Sequence, residues 1–333
     1  MASIAPGSVK LFGEHAVVYG RVGVSASFDR HAVASITESE SKNVEIRLPD
    51  LGVSQSFTEE KLMEEYERLT LALSKESLVS SRPDFFQPFI YIIGSAFLRT
   101  GFRPMRIEIK SSVPRNSGLG SSSAIFVALA NELNSVLKLG FSVEGVAELA
   151  NKGDCVVHGK PSGIDANTCA RGGFLRFRKG EEVVQLKANA PIAVVIANTL
   201  VKKDTGRMIA RVAKAYEDDR IGVGEIFDEM QEAAFGGIEA LESGDLVKLG
   251  AEFDRAQSCF NRLGLNTKEI DEIIRFAKKN KAYGAKITGA GGGGCVLILT
   301  PSPAKLVSLL NKMGYPSFEA QLGVEGVKHL HIV

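Results

Sequence analysis

The hydrophobic pattern of this 333-residue chain changes period several times along its length. Over residues 3–48 apolar and β-branched residues alternate, punctuated by Gly13, Gly20 and Gly23, which predicts strands joined by turns. Over 59–80 and 84–100 the apolar positions recur at three- and four-residue intervals and predict helices. Residues 106–112 (RIEIKSS) alternate again and read as a strand, and 114–120 read as a loop. The apolar, Ala-rich stretch 121–139 predicts a buried helix; 142–158 predicts a second, with Ser142 and Glu144 suited to its start. A hairpin over 172–178 and 183–187 and a continuous apolar strand over 192–197 come next. Helices are then predicted over 205–219, 223–242, 244–262 and 267–280. They are followed by a strand at 285–288, a glycine run, a strand at 295–300, a helix at 302–313 and two closing strands.

Near residue 190 strand-and-loop material gives way to a helix-rich half, and the length exceeds what one core usually supports. Two domains are therefore expected, 1–190 and 191–333. Charge removes whole classes of partner: 40 Lys+Arg against 39 Asp+Glu leave a net charge of +1, too little for a nucleic-acid binder held by a broad basic surface. With 44% apolar residues the chain is no disordered polymer either. Cys155, Cys169, Cys259 and Cys295 lack any zinc-like spacing and read as free thiols in a reducing cytosol. The opening MASIAPG has no basic region followed by an apolar stretch, and the apolar runs at 88–98 and 191–197 fall short of the about 20 residues a membrane span needs. A soluble cytoplasmic protein, free of nucleic-acid and membrane partners, is the expectation.

Two glycine segments carry candidate chemistry. In the first, 113–124 (VPRNSGLGSSSA), Gly118 and Gly120 let the backbone turn tightly, and the helix that follows presents free N–H groups and the positive end of its dipole. That is a ready phosphate site, and Ser121, Ser122 and Ser123 add hydroxyls for phosphate or Mg²⁺. An ordinary turn with a Ser-rich cap fits the residues equally well. No Walker A motif occurs in the chain. The second segment, 289–294 (GAGGGG), contains G-x-G-x-x-G but leads into a strand instead of a helix, against a dinucleotide site. Four consecutive glycines there predict a backbone or ligand passing close by, with Thr288 beside a phosphate-lined cleft. Lys10, Glu14 and His15 flank a glycine turn, and Asp154 and Asp165 bracket 158–165 (HGKPSGID); alone, each reads as a structural residue.

Taken together, 6–20 (PGSVKLFGEHAVVYG), 118–124, 158–165 and 286–295 stand in the order seen in GHMP kinases, and the intact GEHAVVYG is similar to the mevalonate kinases among them. The resemblance spans residues 6 to 295. It implies an α+β fold of two domains, a mixed α/β N-terminal one and a ferredoxin-like C-terminal one, with the active site in the cleft between them. It implies phosphorylation of the C5 hydroxyl of mevalonate by Mg·ATP, giving 5-phosphomevalonate for isoprenoid synthesis, and a homodimer. By the same resemblance Pro114, Ser117, Gly118, Leu119, Gly120, Ser121, Ser122 and Ser123 bind ATP, and Ser122 and Asp154 hold Mg²⁺. Asp165 and Lys10 are the catalytic pair: the cation keeps the carboxylate ionised, and Asp165 either takes the hydroxyl proton or only orients the hydroxyl. Glu14, His15, Thr205, Gly291 and Gly292, with Lys10 and Asp165, line the mevalonate pocket.

Asp154 stands where that family has Glu, Asn116 is expected to tolerate a left-handed turn, and Lys160 replaces a residue that is often Asn. Arg171 and Arg207 are both available for the substrate carboxylate. The nearest rival is another kinase of the same superfamily, acting on phosphomevalonate or on the 3-hydroxyl of mevalonate, with Lys160 and Arg171 as extra cations. A nicotinamide-dependent oxidoreductase rests on 289–294 alone.

Overall fold

The computed structural model describes residues 2–75, 84–115, 117–159, 161–202 and 204–330. Asn116, Lys160 and the predicted helical residues 76–80 lie outside the described residues. The N-terminal half contains β1 (Ala2–Phe12), β2 (Gly23–Glu38), β3 (Val44–Leu48), β4 (Val53–Phe57), α1 (Glu59–Ser74), α2 (Gln87–Thr100) and β5 (Met105–Ser111). These are followed by α3 (Ser121–Val136), α4 (Val143–His158), α5 (Ile164–Arg171), β6 (Phe174–Phe177) and β7 (Val184–Leu186). The C-terminal half contains β8 (Ile192–Asn198), α6 (Thr205–Asp218), α7 (Arg220–Ser243), α8 (Leu246–Arg262), α9 (Lys268–Lys279), β9 (Gly284–Ile287), β10 (Cys295–Leu299), α10 (Pro303–Lys312), β11 (Ser317–Leu322) and β12 (Lys328–Leu330).

The strands form one mixed sheet in the order β4-β3-β5-β2-β11-β8-β10-β9, with β1, β6, β7 and β12 attached beside β2. Among the described residues only β3 and β5 pair in parallel. In the C-terminal half the order β11-β8-β10-β9 is antiparallel throughout, with helices before β9 and between β10 and β11, a ferredoxin-like arrangement. Along the main strand order the halves meet where Leu322 of β11 pairs with Phe28 of β2. The expected boundary at 190 falls at the entrance to β8, but the chain's last strand returns to the other half, where β12 pairs with the start of β1.

A continuous apolar core crosses the two halves, from Phe28, Ile46, Ile92 and Phe126 to Ile196, Phe253 and Leu297. Phe12 at the end of β1 meets Phe253 of α8 with ring centroids 5.4 Å apart. A second core lies under the C-terminal sheet around Phe227, Phe260, Ile273, Ile298 and Leu310. Burial of such side chains at about 25 cal/mol per Å² is the main force fixing the halves against each other. α3 is buried along Phe126, Val127, Leu129 and Leu133, and its first turn, through Ser122 and Ser123, lines a small pocket with α4 and α5.

Candidate active site

The loop after β5 ends in Gly118 (φ +78°) and Gly120 (φ +64°), left-handed conformations that glycine adopts at no steric cost. Gly120 is the N-cap of α3, and no side chain among the described residues caps that helix. Its first N–H groups therefore point outward with the positive end of the dipole. The neighbouring hydroxyls are spoken for: Ser117 donates to the Pro114 carbonyl at 2.6 Å and Ser121 to the Val113 carbonyl at 3.3 Å. Leu119 is buried and anchors the loop from below, its carbonyl accepting the Ser8 N–H at 3.1 Å.

Ser122 and Ser123 turn toward α4. Their hydroxyls donate to Asp154 Oδ1 at 3.3 Å and Oδ2 at 2.5 Å. Asp154 is 5% exposed, and burial pushes its carboxyl up from 3.8 to about 6, against the pull of the Ser123 hydroxyl. Asp165 lies beyond the end of α4, in the first turn of α5, whose N-cap is Gly163 at φ +73°. Its carboxylate accepts from Lys10 Nζ on both oxygens and from Ser8 Oγ on Oδ1. Lys10 and Asp165 keep 19% and 29% of their side chains exposed, so the pair still opens onto the cleft. Ser122, Ser123, Asp154, His158, Ser162 and Asp165 line one small pocket. The start of α3, the Asp154 carboxylate and the Lys10–Asp165 pair thus converge on one space.

Two residues in or behind this site escaped the sequence reading. Ser8 lies two residues before Lys10 on β1, and period-two geometry puts both side chains on the same face of the strand, where both reach Asp165. Lys286 is fully buried and pairs with Glu14, whose carboxylate is 3% exposed and whose Oε2 has no hydrogen-bond partner among the described residues. A lysine this deep is tolerated only when paired. Burial lowers the Lys286 pKa, while Glu14 opposes the shift.

The remaining candidates are placed apart from that space. Glu14, expected in the mevalonate pocket, turns inward to Lys286, and His15 contacts the Ala290 carbonyl through Nε2 at 2.9 Å. Thr205 is an exposed residue at the first position of α6. The glycine run does meet a close backbone, but the chain's own. A Cβ on Gly291 would sit 2.9 Å from the Leu265 carbonyl, one on Gly293 2.8 Å from the Val201 carbonyl, and one on Gly292 2.6 Å from the Met208 sulfur. Thr288 is fully buried and lines no phosphate cleft; its hydroxyl bonds the backbone of Lys10. Arg171 is committed to Glu144 at 3.2 Å and Asn167 at 3.3 Å, and Arg207 is exposed on α6.

An uncapped helix start, a buried acid beside it and an acid–lysine pair thus stand together. Residues 89–173 match the GHMP kinases N terminal domain, and 238–316 match the GHMP kinases C terminal domain. The mevalonate kinase of Pyrococcus abyssi is 30% identical over 97% of this chain and 96% of its own. That of Pyrococcus horikoshii is 31% identical over 93% of this chain and 91% of its own. The crystal structure of the Methanococcus jannaschii mevalonate kinase superposes with a TM-score of 0.81 at 24% identity, covering 97% of this chain and 98% of that one. The chain belongs to the GHMP kinase family, in which it groups with the mevalonate kinases. Among the described residues no helix is long and apolar enough to cross a membrane, and none of the four cysteines is in a disulfide.

Proposed function

We propose that this protein transfers the γ-phosphoryl group of ATP to the C5 hydroxyl of mevalonate, giving 5-phosphomevalonate and ADP. The observation that carries the reading is the Lys10–Asp165 pair, which opens onto the space in front of the free N-terminus of α3. The full-length relatives named mevalonate kinase supply the acceptor. Ser117 to Gly120 and the first turn of α3, Ser121 to Ser123, hold the β- and γ-phosphates through N–H groups and dipole, with Pro114 at the entrance to the loop. The mevalonate alcohol lies against Asp165. As its oxygen bonds the γ-phosphorus, its proton passes to Asp165, and the bond from that phosphorus to the bridging oxygen breaks to release ADP. Lys10 offers its ammonium to the oxygen as charge develops on it.

Ser122 Oγ and Asp154 fit Mg²⁺. They are hard oxygen donors 3.3 Å apart beside the phosphate space, and a lone buried carboxylate held only by hydroxyls is stabilised by a cation. When bound, the ion neutralises charge on the β- and γ-phosphates. The fully committed Arg171 speaks for an unphosphorylated acceptor over phosphomevalonate. Four cysteines outside any disulfide among the described residues support a reducing, cytoplasmic setting.

Purified protein should consume ATP with mevalonate and not with phosphomevalonate or homoserine, and NMR of the product should show phosphorus coupled to the C5 protons. Phosphorus at the 3-hydroxyl, or preference for the phosphorylated acceptor, would replace this reading with the sister kinase.

A further inference from the structure

The side chain of Lys10 faces Asp165, but its backbone is held from the other half of the molecule. Its N–H donates to Thr288 Oγ1 at 3.1 Å, and the same hydroxyl donates to the Lys10 carbonyl at 3.2 Å. β12 covers the free edge of β1 only from Ala2 to Ile4, so at Lys10 no strand is present to take these two groups. One hydroxyl does both jobs, which needs a side chain that accepts and donates from a single atom. The strand is also irregular here. Lys10 pairs with Ser25 and Phe12 with Val24, so Leu11 is an extra residue in β1, and the ladder alone does not fix the direction of the Lys10 side chain.

Beneath Thr288 the support is rigid. Lys286, two residues earlier, is fully buried, pairs with Glu14, donates to the Ile287 carbonyl at 2.5 Å and reaches the Lys10 carbonyl at 3.5 Å. Its ammonium lies 5.5 Å from the centre of the Phe260 ring. The residue after the contact, Gly289, opens the glycine run that packs on Leu265, Met208 and Val201.

We propose that Thr288 is a positioning residue for phosphoryl transfer: from the C-terminal half it grips the backbone of Lys10 at a bulge and so sets where the ammonium meets Asp165 and the alcohol. The proposal rests on the mevalonate kinase reading for its kinetic consequence but not for its geometry. It explains why Thr288, Lys286 and Glu14 are buried away from the pocket and yet sit directly behind a residue of the site.

The test compares Thr288→Val, which keeps the shape and removes the hydroxyl, with Thr288→Ser, which keeps the hydroxyl. Two readouts are taken on folded protein with matched melting curves. The first is the rate at which an amine-acylating reagent modifies Lys10, followed by mass spectrometry. Thr288→Val should lose the protection of Lys10 while other lysines keep theirs, and Thr288→Ser should label like the wild type. The second is turnover with mevalonate. Thr288→Val should lower kcat about 10- to 100-fold, as a misplacement near 1 Å does, with KM for ATP held, and Thr288→Ser should restore it. Wild-type labelling of Lys10 in both variants would overturn the proposal, as would Thr288→Val and Thr288→Ser being equally impaired. Absence of wild-type turnover with mevalonate would instead overturn the functional reading, and the labelling would still decide the role of Thr288.

Discussion

At the scale of single residues, the site is shaped by two carboxylates in contrasting surroundings. Asp165 is matched by a cation and a hydroxyl, whereas the hydrogen bonds to buried Asp154 among the described residues come from hydroxyls. Its pKa is raised from 3.8 to about 6, so between these values the folded protein binds more protons than the unfolded chain. Stability contributed by protonated Asp154 is therefore present at low pH, is lost as pH rises through about 6, and stays lost above it. Asp154→Asn should then stabilise the ligand-free protein at pH 8 by up to about 3 kcal/mol, with little effect at pH 4, as measured by urea unfolding at the two values. A variant less stable than the wild type at pH 8 would show that the carboxylate is better served by Ser122 and Ser123 than its burial implies. The same variant should lose Mg·ATP-dependent turnover.

At the scale of elements, the long periodic segments were legible, as were the short strands β6, β7, β9 and β10, whereas two other short elements were not. The helix predicted over 142–158 appears as α4, capped by the Ser142 hydroxyl, and the strand at 106–112 appears as β5, because apolar spacing over many residues follows from the face each buries. α5 went unread: eight residues are too few to show a period, and it starts from Gly163 without a polar cap. β4 went unread as well, since four of its five residues are exposed and carry no alternation. Lys10 and Asp165 were legible as candidates because their motifs stand in a familiar order. Ser8 and the Lys286–Glu14 pair were not, since each acquires its role from a partner far away in sequence.

The loop-to-helix junction at Gly120 makes its own prediction. A Cβ there would sit 2.2 Å from Ser8 Oγ, and the backbone is left-handed. Gly120→Ala should cost at least about 1–2 kcal/mol and weaken ATP binding by displacing Ser8 and tilting the start of α3. Chemical denaturation and a nucleotide titration check it, and unchanged values in both would show that the junction tolerates a side chain.

At the scale of the whole molecule, the site's side chains come from the N-terminal half, but the other half holds one of them from behind. β1 supplies Ser8 and Lys10, α3 its uncapped N-terminus, α4 and α5 the carboxylates, and the C-terminal half holds the Lys10 backbone through the residue that follows β9. The shared core and the return of β12 to β1 make this arrangement a property of the folded chain rather than of one domain. The central claim is that Asp165, held by Lys10, meets the alcohol in front of a triphosphate gripped at α3. Steady-state turnover of Asp165→Asn, with nucleotide affinity measured on the same preparation, tests it most directly. The predicted result is a kcat lower by about 10²- to 10⁴-fold with ATP binding retained. Turnover close to that of the wild type would contradict it.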